Sequence, residues 1–356
     1  MERYGVIMAG GGGTRFWPMS RKERPKQLLN LSGKDIMVNE TIDRLLQVVR
    51  HENMFIVTNV TQVPLMAEET KGRVKKEHIL AEPAARNTAA CIGYAAMEII
   101  KKQEDGIMCI VPSDAFIQDE EEYARVIRCA MEAAEETDML VTIGIKPTFP
   151  ATGYGYIKGK TKEEGKNYSL VEEFVEKPDQ ETARTYFEDG SYQWNSGMFI
   201  WKASTILKKF KELLPDVYDC LMEIGEAMNT EQEQEVIQRV YPGIPKISID
   251  YGIMERCKDV LVVEGDFGWN DVGSLDMLRV MKEADSDGNI LYGKQINIDT
   301  KDCISYGQDK LIATIGVQGL IIVQTEDALL VCDKNRAQDV KKIVDRLSEE
   351  GMEQYL

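Results

Sequence analysis

Short apolar runs alternate with longer amphipathic stretches along the first part of the chain. The apolar runs are YGVIMAG, MFIVTN, HILAEP, IMCIVPSD and MLVTIGI, and most end in small, polar or proline residues, which is typical of buried parallel strands. Between them, NETIDRLLQVV, NTAACIGYAAMEIIKK and EEEYARVIRCAMEAAEE have the apolar spacing of amphipathic helices. This alternation predicts an α/β fold with a parallel sheet and crossover helices. We expect ligand-binding residues just after the carboxyl ends of the strands.

The pattern changes at about Ala151 and again after Asp285. YGYIKGK and YSLVEEFVEKP predict strands, and DQETARTYFEDG and YQWNSGMFIW are predicted to be helical. We interpret this region as an insertion closing over one side of the sheet. Beyond DSDGN the chain is rich in β-branched residues and shows no helical pattern until AQDVKKIVDRLSEEG. We therefore predict two domains, an α/β domain at 1–285 and a small β-rich domain at 286–356.

Composition narrows the possible partners. The 356-residue chain has a formal net charge of -17, which argues against nucleic acid or an anionic membrane as the main partner. No export signal or membrane span is visible, and the 7 cysteines form no C-x-x-C pair, so we expect reduced thiols and a cytoplasmic location. With only 2 histidines, a zinc site or a histidine triad is disfavoured. Any metal should be a hard ion bound by carboxylates.

The segment MAGGGGTRFWPMSRKERPKQLL combines bare backbone with positive charge. Four glycines after the first strand allow main-chain N–H groups to converge on an anion, although a flexible turn is an equally good interpretation of the glycines alone. Neither common phosphate-binding glycine motif fits them. The prolines on both sides favour an ordered loop over a solvated one. Such a loop suits a triphosphate, because five basic residues follow: Arg15, Arg21, Lys22, Arg24 and Lys26.

The same segment resembles the signature G-G-x-G-[ST]-R-x-x-P-x-[ST]-x-x-x-P-K of sugar-1-phosphate nucleotidylyltransferases. FWPMSR and PKQ resemble the mannose-1-phosphate guanylyltransferase branch of that family. Further matches follow in order: EPAARNTA, VPSDAF, TGYGYIK, FVEKPD, YQWNSGMFIW, SIDYGIMER and WNDVGS. The resemblance covers the chain from Tyr4 to about Ser274. It implies a Rossmann-like, mixed and mostly parallel sheet flanked by helices, followed by a small all-β domain resembling a left-handed β-helix.

The resemblance also implies a reaction, in which GTP and α-D-mannose 1-phosphate give GDP-mannose and pyrophosphate with Mg²⁺ as cofactor. An oxygen of the sugar phosphate would attack the α-phosphorus in line, without a covalent enzyme intermediate. An ionised phosphate needs no general base, so the protein would supply alignment and positive charge.

Site residues follow from the matching motifs. The implied catalytic cations are Arg15, Lys26 and Lys177, of which Lys177 would bind the phosphate of the sugar phosphate. The implied nucleotide-binding residues are Gly10, Gly11, Gly12, Gly13, Thr14, Glu82, Arg86, Asn87 and Ser113. The implied sugar-binding residues are Gly155, Glu176, Lys177 and Asn195. The implied Mg²⁺ ligands are Asp114 and Asp271.

Several of these residues have a plainer interpretation from sequence alone. Asp114 could be a turn residue at a strand end and Asp271 a helix N-cap. Glu176 and Lys177 could be an exposed charge pair, and Asn87 could cap the helix that begins there. Trp194, Phe199 and Trp201 are expected in the core or in a pocket wall: they are not assigned to ligand stacking.

Two alternative functions remain open from sequence. One is a nucleotidylyltransferase for another hexose or heptose 1-phosphate or another NTP, and the other is a nucleotide-binding regulatory protein without turnover. The β-rich tail resembles the β-helix-like extension of this branch, which often serves in self-association. This resemblance implies a homodimer, with a lid packed on its own domain as the alternative. Because the sequence ends at Leu356, we expect no additional cupin-type isomerase domain and a single activity.

Overall fold

A computed structural model describes residues 1–103 and 105–356, and its central feature is a nine-stranded sheet in the order β3-β2-β1-β4-β8-β5-β9-β7-β6. The five apolar runs of the amino-terminal part all form strands: β1 Arg3–Met8, β2 Met54–Asn59, β3 Ile79–Glu82, β4 Ile107–Pro112 and β5 Leu140–Ile145. β1 pairs in parallel with β2 and with β4, so that Val6 lies opposite Phe55 on one side and Ile110 on the other. The predicted parallel arrangement is confirmed for these strands.

Helices connect these strands and cover the sheet: α1 Met37–Leu45, α2 Val63–Glu69, α3 Asn87–Gln103 and α4 Glu120–Thr137. Helix α4 shows how sequence sets the ends. Asp119 is its N-cap and accepts a hydrogen bond from the Glu122 amide, and acidic residues in the first turn complement the helix dipole. At the other end, Asp138 adopts a left-handed conformation and terminates the helix.

The segments after Ala151 extend the sheet itself. They form β6 Tyr156–Gly159, β7 Ser169–Val175, β8 Tyr192–Lys202 and β9 Val260–Gly265. β8 runs antiparallel between β4 and β5, and β9 pairs in parallel with β5. The interpretation of this region as an insertion over one side of the sheet is therefore wrong, because its strands are hydrogen-bonded into the sheet and make the sheet mixed. The helical prediction for YQWNSGMFIW is also wrong, because this segment forms β8 and pairs with strands on both sides.

Four further helices lie in the same part of the chain as β6 to β9: α5 Gln180–Asp189, α6 Ala203–Leu213, α7 Pro215–Ala227 and α8 Glu233–Val240. α3 packs against α6 and α7, and this layer buries large side chains such as Trp201, Tyr241 and Phe210 against the sheet. The expectation that Trp201 belongs to the core is confirmed. Gly93 of α3 lies so close to Leu221 of α7 that a Cβ would approach a leucine methyl to 2.3 Å.

The carboxyl-terminal part forms stacked short strands: β10 Ile290–Tyr292, β11 Gln295–Ile298, β12 Ile304–Gly307, β13 Ile312–Ile315, β14 Leu320–Gln324 and β15 Leu329–Asp333. β10, β12 and β14 stack in parallel and align Ile290, Ile304 and Ile321 inside the coil, while β11 and β13 form a second parallel face. Gly293, with φ of 80°, turns a corner where a Cβ would lie 2.1 Å from the Gly307 carbonyl oxygen. The predicted β-helix-like domain is confirmed, and helix α9 Val340–Glu349 follows it.

Contacts between residues divide the chain into two compact units. The sheet unit comprises Met1–Gly10, Thr41–Ser113 and Ile117–Trp269, and the coil unit comprises Gly11–Glu40, Asp114–Phe116 and Asn270–Leu356. The glycine-rich segment therefore packs with the β-helix-like strands. The domain boundary at residue 285 stays a prediction.

Two further properties of the chain bear on its chemistry. All seven cysteines are free thiols, and Cys91, Cys109 and Cys303 are buried. Across the described residues, no helix combines the length and the apolar character that crossing a bilayer requires.

Candidate functional site

The glycine-rich segment lies in the coil unit and has little regular structure. It contains two short 3-10 turns, Thr14–Phe16 and Lys26–Leu28. Gly13 has a φ of 62°, and a Cβ there would lie 2.3 Å from the Cβ of Lys26, so its backbone rests directly on the lysine. A Cβ on Gly11 or Gly12 would meet nothing within 4 Å. Packing within the protein thus requires a glycine at position 13 and leaves the faces of the two preceding glycines open.

Lys26 is the most buried cation of this segment. It is only 4% exposed, and its Nζ donates to the Asp114 Oδ2 at 2.8 Å, to the Asp114 carbonyl at 3.1 Å and to the Asp271 carbonyl at 2.8 Å. An ammonium group has three protons, so all of them have acceptors here. The ring of Phe16 lies 5.3 Å from the nitrogen and shields it further. Lys26 is therefore a fixed positive charge.

The two predicted metal ligands are brought together by this lysine and by a backbone bridge. Phe116 and Asn270 exchange main-chain hydrogen bonds of 2.8 and 3.0 Å, which holds the segments that follow Asp114 and precede Asp271 side by side. A Cβ on Gly273 would lie 2.9 Å from the Asp271 Oδ2, so the carboxylate folds over the glycine.

Val272, between these residues, has a φ of 46°, which is a strained conformation for a β-branched residue. Its amide is held by the Asn270 side-chain oxygen at 2.8 Å. Strain of this kind persists only where the surroundings impose it, and it marks the turn that carries Asp271 as a specialised position.

Asp114 and Asp271 fit a hard divalent ion. The Asp114 side chain is 36% exposed, although its partner Lys26 is buried, so one carboxylate face is open. Among the described residues, no group of three or more His, Cys, Asp or Glu side chains is placed to hold a metal. Mg²⁺ typically takes one or two carboxylates and completes its shell with phosphate oxygens and water. Two oxygen ligands without a complete protein cage therefore suit an ion bound together with a phosphate.

The other basic residues of the segment differ in their availability. Arg15 is exposed, and its side chain has no hydrogen bond or ion pair with any described residue. Arg21 instead pairs with Asp327 at 2.8 Å, and Lys22 pairs with Glu353. Of the five basic residues, Arg15 thus presents an open guanidinium, Lys26 is a buried ammonium, Arg21 and Lys22 are paired within the protein, and Arg24 is exposed.

The segment after β3 lies in the sheet unit. Glu82 is buried and accepts a hydrogen bond from the Tyr241 hydroxyl at 2.5 Å, and a Cβ on Gly10 would approach its other oxygen to 3.3 Å. Burial raises the pKa of Glu82, and the hydrogen bond from Tyr241 opposes that rise. The Glu82 carboxyl therefore lies beside the backbone where the glycines begin.

The neighbours of Glu82 in sequence have individual partners. Arg86 donates from Nη2 to the Pro242 carbonyl. Asn87 has a φ of 68° and its side-chain oxygen accepts from the Thr88 amide, while the Thr88 hydroxyl accepts from the Ile249 amide at 2.9 Å.

Ser113 ends the strand that leads to Asp114. It is buried, and its amide donates to the Met8 carbonyl at 3.1 Å, which continues the β1–β4 ladder. Its carbonyl accepts from the Thr41 hydroxyl. The strand is therefore fixed to its last residue.

A second cluster of the sheet unit contains the predicted sugar-binding residues. The Asn195 amide donates to the Gly155 carbonyl at 2.8 Å, and a Cβ on Gly155 would lie 2.5 Å from the Glu176 Oε2. The Glu176 side chain is 7% exposed, and its Oε1 accepts from the Lys177 Nζ at 2.5 Å. Within the described structure, Oε2 is buried without a hydrogen-bond donor. The cluster thus holds a bare carboxylate oxygen against a glycine.

Asp250 belongs to this cluster but was not singled out by sequence reasoning, although it lies in the quoted motif SIDYGIMER. Its Oδ1 accepts from the Asn195 Nδ2 at 2.9 Å. Burial and the nearby Glu176 charge raise the pKa of Asp250 to about 7. The Lys177 side chain is 56% exposed, and the φ of Lys177 is 49°. Burial lowers the pKa of Lys177, but the hydrogen bond to Glu176 and the charges of Glu176 and Asp250 outweigh burial and raise it.

Neither histidine belongs to these clusters. His78 is buried, with Nδ1 3.2 Å from the Met54 carbonyl oxygen and Nε2 3.0 Å from the Lys102 Nζ. His51 is exposed and lies near the Gly72 carbonyl. The clusters contain carboxylates, amines and backbone amides, which suits transfer of an already ionised group.

A Rossmann-like mixed sheet with a glycine-rich, cation-bearing loop and paired aspartates defines a nucleotidyl-transferring class of protein. The sequence matches the Nucleotidyl transferase family over residues 4–288, and the chain belongs to that family. Residues 293–347 match the MannoseP isomerase/GMP-like beta-helix domain.

Particular relatives narrow the class. The chain is 38% identical to the mannose-1-phosphate guanylyltransferase of Escherichia coli, over 99% of this chain and 75% of that protein. It is 39% identical to the xanthan biosynthesis protein XanB of Xanthomonas campestris, over 97% of this chain and 73% of XanB. A crystal structure from Thermus thermophilus, described as a mannose-1-phosphate geranyltransferase, superposes with a TM-score of 0.89 at 33% identity, covering 98% of this chain and 100% of that one.

Proposed function

We propose that this protein transfers GMP from GTP to α-D-mannose 1-phosphate, giving GDP-mannose and pyrophosphate. The observation that carries the proposal is the cluster of Lys26, Asp114 and Asp271 beneath Gly13. In a chain with a net charge of -17, the buried Lys26, the exposed Arg15 and a divalent ion held by the two aspartates would together provide the local positive site that a triphosphate needs. The name of the Escherichia coli relative favours mannose 1-phosphate and guanine over other pairs.

The glycine-rich loop would bind the triphosphate. The open faces of Gly11 and Gly12 leave room for phosphate oxygens to approach backbone N–H groups. Thr14 and Arg15 are exposed at the next turn, and the unpaired Arg15 guanidinium is suited to bidentate contact with the leaving pyrophosphate. Lys26 would stabilise the negative charge that grows on the α-phosphate during displacement.

Asp114 and Asp271 would hold Mg²⁺, which supplies neutralisation of phosphate charge when bound. The choice of Mg²⁺ follows from the donor set: oxygen ligands only, two in number, without histidine or thiolate. The requirement for a divalent ion, and Mg²⁺ in particular, is part of the proposal.

The sugar phosphate would be bound by the Glu176 cluster. The exposed Lys177 ammonium is available to the phosphate, while the buried Glu176 carboxylate and the Asn195 amide are suited to sugar hydroxyls. A side chain at position 155 would collide with the Glu176 Oε2, so the cluster needs a glycine there. An oxygen of the sugar phosphate would then attack the α-phosphorus in line and release pyrophosphate, with alignment as the main contribution of this cluster.

The guanine base would be read at the end of β3 and just beyond it, by Glu82, Arg86 and Asn87. Gly10 and Ser113, which follow β1 and β4, would complete the nucleotide site. The raised pKa of Glu82 makes its carboxyl sensitive to a hydrogen-bond donor such as a purine N–H.

A homodimer is also part of the proposal. The outer face formed by β11 and β13 exposes Ile296, Ile298 and Ile315, by 53%, 51% and 70%. Light scattering should give about twice the chain mass of 40.3 kDa, and a mass of one chain would exclude the dimer. A cytoplasmic location stays a prediction.

A matrix of NTPs against hexose 1-phosphates, read as pyrophosphate formed, tests the proposal. We expect GTP with mannose 1-phosphate to be the best pair and chelation of divalent ions to stop the reaction. If another pair of substrates is best, the proposed specificity for GTP and mannose 1-phosphate is wrong, but the protein is still a nucleotidyltransferase. Nucleotide binding without pyrophosphate release would identify a regulatory protein instead.

A further inference from the structure

The glycine-rich segment is attached to the end of the described chain by direct hydrogen bonds. The Trp17 Nε1 donates to the Tyr355 carbonyl at 2.8 Å, and the Lys22 amide donates to the Leu356 main-chain oxygen at 2.7 Å. Lys22 also pairs through its side chain with Glu353. Trp17 and Leu356 are each 8% exposed, so the contact is shielded from water.

A second attachment comes from the turn after β14. Asp327 accepts from the Arg21 Nη2 at 2.8 Å and from the Thr325 hydroxyl at 3.0 Å. The Arg21 guanidinium carbon lies 5.7 Å from the centre of the Trp17 ring. Burial raises the pKa of Asp327, but the hydrogen bonds from Thr325 and Arg21 and the positive charge of Arg21 outweigh burial and lower it. The pair of Arg21 and Asp327 therefore stays ionised near neutral pH.

These attachments continue inward to the phosphate-binding backbone. The Ser20 hydroxyl, between the two attached residues Trp17 and Arg21, donates to the Gly13 carbonyl at 2.7 Å. Gly13 in turn lies against Lys26. Contacts between neighbours therefore run from the end of the described chain to the buried cation, all within the coil unit.

We propose that residues 353–356 and Asp327 form a brace that positions the glycine-rich loop for the nucleotide. The inference rests on the proposed function, in that this loop binds the triphosphate. The loop has only two short 3-10 turns, so its shape depends on tertiary contacts. Ordering a residue has an entropic cost of about 1–2 kcal/mol, and a loop that is ordered before binding avoids that cost when the nucleotide arrives. The brace is a positioning element and does not touch the reacting atoms.

Three variants test the brace in the full-length protein. Trp17→Phe keeps an aromatic ring and removes one N–H donor, and Asp327→Ala removes the partner of Arg21. Deletion of residues 353–356 removes all three contacts that the chain end makes with Trp17 and Lys22. Glu350→Gln is the matched control, because it breaks an ion pair with Arg346 on the nearby helix α9 without touching the loop.

The first measurement is hydrogen exchange of amides 11–26 in the absence of nucleotide. We expect the deletion to accelerate exchange about tenfold and each point variant about threefold, with the control unchanged. The second is steady-state kinetics. GTP KM should rise about tenfold in the deletion and about threefold in the point variants, while the KM for mannose 1-phosphate stays within about twofold.

The outcomes separate the brace from general stability and from the proposed function. Unchanged exchange of residues 11–26 in both point variants would overturn the brace, whatever the deletion does to folding. A lower Tm with equal changes in both KM values would show a merely structural contact and would also overturn it. If the wild-type protein neither binds nor turns over GTP, the proposed function fails, and the exchange measurement still decides the brace.

Discussion

Two lysine–carboxylate pairs of this protein are built with opposite burial. In the coil unit, Lys26 and Asp114 lie 2.8 Å apart, with the lysine side chain 5% exposed and the aspartate 36% exposed. In the sheet unit, Lys177 and Glu176 lie 2.5 Å apart, with the lysine 56% exposed and the glutamate 7% exposed. The first pair fixes a cation and presents a carboxylate, whereas the second fixes a carboxylate and presents a cation. The exposed partner indicates what each pair offers: Asp114 suits a metal ion and Lys177 suits a phosphate.

Lys26→Met should have the largest effect, because the buried cation has several partners. We expect kcat/KM to fall by about 10³-fold through loss of charge stabilisation in the transition state. Each of the acceptors left without a donor should lower the free energy of unfolding by about 1–3 kcal/mol. Pyrophosphate-release kinetics and urea unfolding measure the two effects. Lys34→Met changes an exposed lysine of the same unit and should alter neither, and normal activity of Lys26→Met would contradict a catalytic role.

Asp271→Ala should rank next and should separate activity from folding. We expect kcat to fall by about 10²-fold and the Mg²⁺ concentration for half-maximal activity to rise, because one of two carboxylate ligands is lost. The Asp271 carbonyl that binds Lys26 is retained, so the Tm should change little. A Mg²⁺ titration of initial rates measures this, with Asp266→Ala as an exposed control. An unchanged Mg²⁺ dependence would remove Asp271 from the metal site.

Lys177→Ala should give a smaller and more selective loss. This lysine is exposed, but it is the donor to the buried Glu176 Oε1, so we expect the free energy of unfolding to fall by about 1–3 kcal/mol. The KM for mannose 1-phosphate should rise by about tenfold, the loss of one charge-assisted contact, while the KM for GTP stays constant. Kinetics with each substrate varied in turn measures the split, and Lys160→Ala provides an exposed control. A rise in the KM for GTP alone would contradict the assignment of Lys177 to the sugar phosphate.

The smallest effect concerns pH. The folded-state pKa of Asp250 is raised to about 7 from its ordinary value of 3.8, so the folded state binds a proton more tightly than the unfolded chain. The stability from this group is therefore fully present below about pH 4 and is lost as the pH rises through about 7. Asp250→Asn keeps an oxygen that accepts from Asn195 and cannot ionise. The Tm of this variant minus the Tm of the wild type should therefore increase by about 2 °C or more as the pH is raised from 5 to 8. A constant Tm difference across that range would contradict the raised pKa.

Local sequence patterns predicted the parallel half of the sheet because each strand is a buried apolar run followed by a helix. β8 was harder to predict from the sequence. Burial alternates at the start of Tyr192–Lys202 and is then nearly continuous, which fits no single pattern. Its position between β4 and β5 also depends on antiparallel partners that are distant in sequence. The sequence of a single strand can indicate that a strand forms, but it says little about which strands it pairs with.

The candidate site shows the same limit. Resemblance to the family gave Lys26, Asp114 and Asp271 by position, but their contacts join residues 88 and 245 positions apart in sequence. Asp250 and Asp327 gave no signal of their own, because an acidic residue in a turn or loop is ordinary until its partner is known. The basic run was predicted as one phosphate-binding set. The structure distinguishes Arg21, which is paired with Asp327, from the open Arg15.

No described residue donates a hydrogen bond to the buried Oε2 of Glu176, and this has a consequence for selectivity. A buried acceptor without a donor is satisfied by a ligand hydroxyl, and a deoxy analogue that lacks the hydroxyl would leave it dehydrated and unbonded. Such a pocket discriminates steeply against a missing group and only weakly against one that is slightly too large. On the proposed function, deoxy-hexose phosphates that lack the hydroxyl donating to Glu176 would be the poorest substrates.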